Sequence, residues 1–290
     1  MFQFFANIFG YLLNIINNFV GNYGLAIILF TLVIKLIMLP LSMKQQRTMK
    51  KNTELQEKIK VLQFKYKNDP EKLNKEMMNL YKQENMSPFS GCLSAILQFI
   101  LLISIFYMVR MPLTYMVKID NNHLETYVQQ MKNDGIVTSQ TYSQIDIIRE
   151  LDYLKEKFPE DENLNKINLN MQFLGLDLGK IPQQNLNDWT VYIIPILYII
   201  STFISIRITT SMQNSKKQKE NIIDVTENSE EKTNEMDDVM AQSNKMMSWM
   251  MPIMSVSISL VAPLGLALYW LINNILMIGE RLILNKVIKD

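Results

Sequence analysis

The chain is poor in the residues on which most enzymatic and extracellular chemistries depend. It carries a single cysteine, Cys92, in 290 residues, so an intramolecular disulfide is excluded. Its single histidine, His123, gives histidine-rich metal sites and a Ser-His-Asp triad little support. No nucleotide-binding or metal-ligand motif and no internal repeat is present. The formal net charge of +1 removes any whole-chain signal for nucleic acid. The first 20 residues contain neither Lys nor Arg and so lack the basic start of a secretory signal peptide. These absences point away from an enzyme, and no cofactor is expected.

What is present divides into two chemistries that a mean hydropathy of +0.03 conceals. Long apolar runs alternate with strongly charged stretches. A bilayer-spanning helix needs about 20 mostly apolar residues. On that measure the sequence predicts an all-α membrane protein with five transmembrane helices, at 22–42, 89–111, 189–211, 246–262 and 263–285. The fourth is short. Ala262-Pro263 disfavours helix continuation, so the last two spans read as a tight hairpin. Residues 1–21 place Gln3, Asn7, Gly10, Asn14 and Asn17 at helical spacing among Phe, Leu, Ile and Val. They read as an amphipathic helix lying at the interface, with a sixth span as the rival. The 21 methionines suit a surface that accepts varied apolar partners, although a biased genome would produce the same enrichment.

Loop charge orients the bundle. Segment 43–88 carries Lys44, Arg47, Lys50, Lys58, Lys65, Lys75 and Lys82 among others, whereas 112–188 carries Glu150, Asp152, Glu156, Glu160, Asp161, Glu162, Asp177 and Asp188. Short Lys/Arg-rich loops stay cytoplasmic, so 43–88 is expected inside and 112–188 outside. The N-terminus is then outside, and the tail 286–290 is cytoplasmic. Within 43–88, Leu55, Ile59, Leu62 and Tyr66 form one stripe, and Leu73, Met77, Leu80 and Tyr81 form another. Asn68-Asp69-Pro70 separates them, with Asp69 placed to cap and Pro70 to open the second arm. This predicts a cytoplasmic helical hairpin. Its basic surface suits anionic lipid, RNA or an acidic partner, but a solvated positive loop explains the charge equally. Polar 212–245 reads as a flexible inner linker.

One charge falls within a span. Lys35 sits in 27–41, where every other residue except Thr31 is apolar. An ionisable residue in a span costs several kcal/mol when left in lipid and is a functional candidate by default. Snorkelling of the lysine to the inner interface is the competing explanation. Other spans carry polar positions: Ser94 and Gln98; Tyr198, Thr202 and Ser205; Asn273 and Asn274. Converging, they would enclose a wet groove around one fixed positive charge. Failing that, they are helix-packing contacts.

These residues resemble a known family. Tyr23-Gly24-Leu25-Ala26-Ile27-Ile28 with Thr31, Lys35 and Leu39-Pro40-Leu41 is similar to the first core span of YidC-type insertases, of the YidC/Oxa/Alb superfamily. Lys65-Tyr66-Lys67-Asn68-Asp69-Pro70, Gly91-Cys92-Leu93 with Gln98, Phe173-Leu174-Gly175-Leu176-Asp177-Leu178 and Gly265-Leu266-Ala267-Leu268-Tyr269-Trp270 resemble its later elements in order. The resemblance implies a bacterial cell-membrane insertase and chaperone. Such a protein receives hydrophobic segments of nascent membrane proteins in a positively charged groove open to cytoplasm and lipid, then releases them into the bilayer. It implies groove positions at Lys35, Thr31, Gln98, Ser205, Tyr269, Trp270 and Asn273. Its partners would be nascent chains and the lipid bilayer, with the Sec translocon as a further candidate. Two departures stand out: Lys35 occupies a position where arginine is usual, and Ser205 one where glutamine is common. Relatives that dock ribosomes do so through a long basic tail, and the sequence stops at Asp290, so direct ribosome docking is not expected. Two other readings compete. A small-solute channel or transporter would use Lys35 in a permeation path, and a structural assembly subunit would use none of these groups chemically.

The predicted topology has a direct test. In intact cells, an impermeant thiol reagent should label a cysteine placed at Asn133 and miss one placed at Asn68. The reverse pattern would overturn the assignment of sides.

Overall fold

The computed structural model describes residues 2–67, 69–84, 90–220 and 253–287. The chain is mostly helical. Helix α1 runs Phe2–Val20, α2 Tyr23–Lys65, α3 Pro70–Gln83 and α4 Ser90–Arg110. A compact region of short helices follows: α5 Asn121–Asn133, α6 Ser143–Arg149, α7 Leu151–Lys157 and α8 Glu162–Asn165. Strands β1 (Gln172–Phe173) and β2 (Leu176–Asp177) form a small antiparallel hairpin. Helix α9 (Ile193–Glu220), a helix over 253–261 (α10) and α11 (Leu264–Val287) complete the chain.

Among the described residues, three stretches are long and apolar enough to cross a membrane: Tyr23–Thr48, Trp189–Ile208 and Leu264–Leu284. Phe99–Arg110 is a shorter apolar stretch within α4. Much of the expected linker, 221–245, and the first part of the expected fourth span, 246–252, lie outside the described residues. Helix α9 itself runs past the apolar stretch to Glu220. Each span turns apolar side chains outward: Leu32, Leu36 and Ile37 on α2, Ile200, Phe203 and Ile204 on α9, and Ile275, Leu282 and Ile283 on α11. Such faces are stable against lipid tails and costly against water.

The three span helices run in the same direction. Tyr23, at the start of α2, lies against Gly265, at the start of α11. Tyr198 and Trp270 meet near the starts of α9 and α11, and Ser201 and Asn274 meet one turn further on. The starts are held together by segment 168–180. The Asn17 side chain donates to Asn168 O (2.9 Å) and the Asn22 side chain to Gln172 O (2.7 Å). Tyr23 N donates to Asn170 O (3.0 Å), Gly265 N to Leu178 O (2.9 Å) and Leu264 N to Lys180 O (2.9 Å). The first N–H groups of a helix have no partner within it. At α11 these groups are buried, and the carbonyls of the strap satisfy them.

The same strap demands glycine at close approaches. A Cβ on Gly24 would lie 2.3 Å from the Phe173 ring. Its hairpin turns through Leu174 and Gly175 at φ 51° and 78°. Both are left-handed, as a tight two-residue turn between twisted strands requires.

Helix α1 lies across the strapped end and is not among the stretches long and apolar enough to span. Gly10 packs on the Tyr115 backbone, Asn7 Oδ1 accepts from Lys118 Nζ (2.5 Å), and Phe9 stacks edge-on against Phe30. The opposite face, Phe4, Ile8, Tyr11, Ile15 and Phe19, is exposed. The acidic region packs around Leu124, Tyr127, Met131, Ile145, Ile148, Leu154 and Leu164. Beyond the apolar part of α2, Leu55 and Ile59 are buried, and α3 folds back alongside. Asp69 caps α3 by accepting from Lys72 N (3.0 Å), Pro70 opens it, and Lys58 pairs with Glu84.

Two outcomes follow from this packing. Gly24→Val should destabilise the protein by about 1–3 kcal/mol, the usual cost of overpacking, read as a lowered unfolding midpoint in detergent. Adding Phe173→Ala should recover part of the loss. The second outcome concerns acid. Hydrogen bonds from Tyr153 and Lys157 hold Asp134 at about 2, below its ordinary 3.8, and hydrogen bonds from Lys180 and Thr190 do the same for Asp188. Depressed carboxyls lend stability that is present above the ordinary value and lost as pH falls through the folded one. The 112–188 region should therefore loosen between about pH 4 and pH 2, with protease sensitivity as the readout. Asp188→Asn should make that loosening shallower.

Candidate functional site

The single charge of the first span has a partner. Lys35 Nζ lies 3.4 Å from Glu280 Oε2, joining α2 to α11. The side chains retain 22% and 13% exposure, so the pair is largely but not wholly withdrawn from its surroundings. Lys35 stands 12 residues from Tyr23, roughly 18 Å along the helix axis. In an apolar layer of ~30 Å that is just past the middle. A charged side chain at a helix centre costs ~2.5–3.5 kcal/mol to insert. Opposite charges about 4 Å apart attract by ~4 kcal/mol at an effective dielectric of 20. Two such charges cost ~5–7 kcal/mol together, so the attraction offsets more than half of that cost, and Glu280 lowers the cost of holding Lys35 at this depth.

Helical spacing explains why these groups meet. Thr31 and Lys35 are four apart and share one face of α2. Thr31 is buried, and its hydroxyl donates to Ile27 O (2.6 Å) within the helix. On α11, residues 269, 273 and 280 fall within about 40° of one another at 100° per residue. Tyr269, Asn273 and Glu280 therefore share the face that Glu280 turns toward Lys35. Tyr269 is buried and Asn273 half-buried. Glu280 Oε1 is buried and makes no hydrogen bond among the described residues.

The adjacent face of α11 serves a different purpose. The Trp270 ring packs on Tyr198 with centroids 6.0 Å apart. Asn274 Nδ2 donates to Ser201 Oγ (3.0 Å) and Thr202 Oγ1 (3.2 Å), and both hydroxyls donate to Tyr198 O. These neutral contacts join α9 to α11 in the manner of polar groups between membrane helices. Ser205 is buried further along α9. Gln98 falls within α4, but its side chain lies outside the described residues.

The structure thus pairs Lys35 with Glu280, helical spacing puts Tyr269 and Asn273 on the same face of α11 as Glu280, and Trp270 and Asn274 are set against α9. Sequence reasoning missed Glu280 and Ser201. Glu280 was visible as the one acidic residue within the final span, next to Arg281, and charge complementarity to Lys35 was the available signal. Ser201 carried no signal, because a serine in an apolar run is common at helix contacts. Among the described residues no cluster of acidic, histidine and cysteine side chains is suited to a metal ion.

Comparison with known proteins now bears on this arrangement. The chain is similar to proteins named membrane protein insertase YidC from Francisella tularensis subspecies novicida, tularensis and holarctica. Each is 49% identical over 107 residues, which is 37% of this chain and 19% of the relative. The matched part is thus about a fifth of the length of these curated relatives. A model of the 60Kd inner membrane protein family matches residues 15–290. A multi-pass helical chain matched over nearly all its length in this way is a member of the 60Kd inner membrane protein family, the family of YidC.

Proposed function

We propose that the protein is a membrane protein insertase that works without covalent chemistry. It receives hydrophobic segments of nascent membrane proteins at the α2/α11 seam, in a polar groove around Lys35 open to cytoplasm and lipid, and releases them sideways into the bilayer. The observation that carries this reading is a partly exposed lysine held about midway along an apolar helix, in a chain of this family. On this reading α4 and the 246–262 segment complete a five-span core. The strapped end faces outward, and the α2/α3 hairpin and the C-terminus face the cytoplasm. The strap and the acidic region, gathered at the starts of the spans, support an insertase over a channel, since a permeation path needs openings at both ends. Substrates and the lipid bilayer are then the essential partners, and the Sec translocon an optional one.

The test uses the full chain in liposomes with a small single-span protein, made once with an acidic and once with a neutral outer segment. Lys35→Arg should keep most activity, because charge rather than fork geometry is required here. Lys35→Ala should lower insertion about tenfold, equivalent to ~1.4 kcal/mol. Lys35→Glu should lose most for the acidic substrate. Replacing Lys35 and Glu280 together by leucine removes the pair without leaving either charge unpaired in an apolar setting. That double variant should fold and yet insert poorly. Wild-type insertion by it would exclude Lys35 from the mechanism. Leakage of small solutes through wild-type liposomes, with no insertion, would favour the transporter reading instead.

A further inference from the structure

We propose that Glu280 is the resident counter-ion of Lys35, and that an incoming segment engages Lys35 by displacing it. Glu280 then sets which outer segments are accepted. The inference rests on the insertase reading and adds to it a residue that determines specificity. Four observations carry it. The two side chains are 3.4 Å apart, a distance at which they attract but at the long end for a charge-assisted hydrogen bond. Only one carboxylate oxygen is engaged, because Oε1 is buried and makes no hydrogen bond among the described residues. Both side chains keep some exposure, so a second carboxylate has access to the ammonium group. The two residues sit on separate helices, so the contact can open by a change in side-chain rotamer or a small separation of α2 and α11.

The chemistry sets the selectivity. A lysine without a counter-ion, partly withdrawn from water, would hold any carboxylate tightly and let go of it slowly. With Glu280 present, a substrate carboxylate gains only the difference between its own contact and the one it replaces. Acidic segments remain preferred, but loosely enough to leave. Arg281, next along α11, adds a neighbouring positive charge that attracts the displaced carboxylate and keeps it near the seam. A neutral segment has nothing to exchange with Glu280 and passes without opening the pair.

The experiment uses the full chain in liposomes and test proteins whose outer segments carry two aspartates, two asparagines or two lysines. Glu280→Gln keeps the shape and removes the charge. It should raise the ratio of acidic to neutral insertion by about tenfold at limiting protein, equivalent to ~1.4 kcal/mol of differential interaction. The exchanged pair, Lys35→Glu with Glu280→Lys, should fold and move the preference from acidic toward basic segments. Should Glu280→Gln not accumulate, Glu280→Asp replaces it. It keeps the charge but withdraws it by one methylene, and should move the ratio the same way by a smaller factor. An unchanged ratio in these variants, or an equal loss for all three substrates, would overturn the proposal and leave the pair as a link between helices. If instead the Lys35→Leu, Glu280→Leu double variant inserts every substrate normally, the insertase reading fails at this site and the counter-ion proposal falls with it.

Discussion

An apolar layer has no water to satisfy a backbone N–H or C=O, and this requirement organises the whole molecule. It makes every long apolar run a helix, where the groups bond one another. It leaves the helix starts exposed to the problem, because the first N–H groups have no internal partner. The strap over 168–180 answers it for α2 and α11 together. One extended segment presents carbonyls to Tyr23, Leu264 and Gly265 while bonding to itself through Leu178 N and Met171 O. Gly24 is the place where strap and helix come too close for a side chain to fit, and at Gly265 a Cβ would press on the Tyr23 ring of α2 at 3.3 Å. Holding the starts of α2 and α11 side by side, and so running these two spans in parallel, is thus a consequence of the same hydrogen bonds.

A charge is the exception that an apolar layer tolerates only with a partner. Placing Lys35 on α2 and Glu280 on α11 turns two costly residues into one link between helices. Helix α11 divides its polar groups by face. Neutral groups bind α9 through Asn274, while the charged one meets α2. The neutral face is buried, and Asn274 makes two hydrogen bonds from it to α9, which suits a permanent contact. The charged face is partly exposed and unsaturated, which suits a contact made and broken. On a single helix, the two faces therefore differ in charge and in exposure, the charged pair keeping part of its surface open.

Helix α2 joins that working surface to the rest of the chain. Its 43 residues extend about 65 Å as one element, from the strap through Lys35 to the turn before α3. Pro40 lies within it and lacks the N–H that would bond back to residue 36, a natural place for bending. Leu55 and Ile59 pack where α3 returns, so the basic arm is held at an angle set by the same helix that carries Lys35.

The sequence by itself determined what local chemistry can decide. Runs of about 20 apolar residues imply spanning helices whatever they pack against, and 23–41, 189–208 and 264–284 were legible for that reason. Asp69 followed by Pro70 marks a helix start, because capping involves only neighbouring residues. Lys35 announced itself because a charge among Leu and Ile is anomalous in any fold. Only the tertiary structure decided what depends on distant residues. Lys35 and Glu280 are 245 positions apart, and nothing local to either names the other. Phe173 and Leu178 resembled a motif, but their role as partners to the starts of α2 and α11 appears only once those helices are side by side. Helix over 142–158 was legible in residues 112–188, but their packing was not, because it rests on Leu124, Met131, Ile148 and Leu164, which no single helix brings together. Burial and pairing belong to the assembled chain, and so does the division of Tyr269 and Asn273 from Trp270 and Asn274, which about 100° around one helix axis brings about.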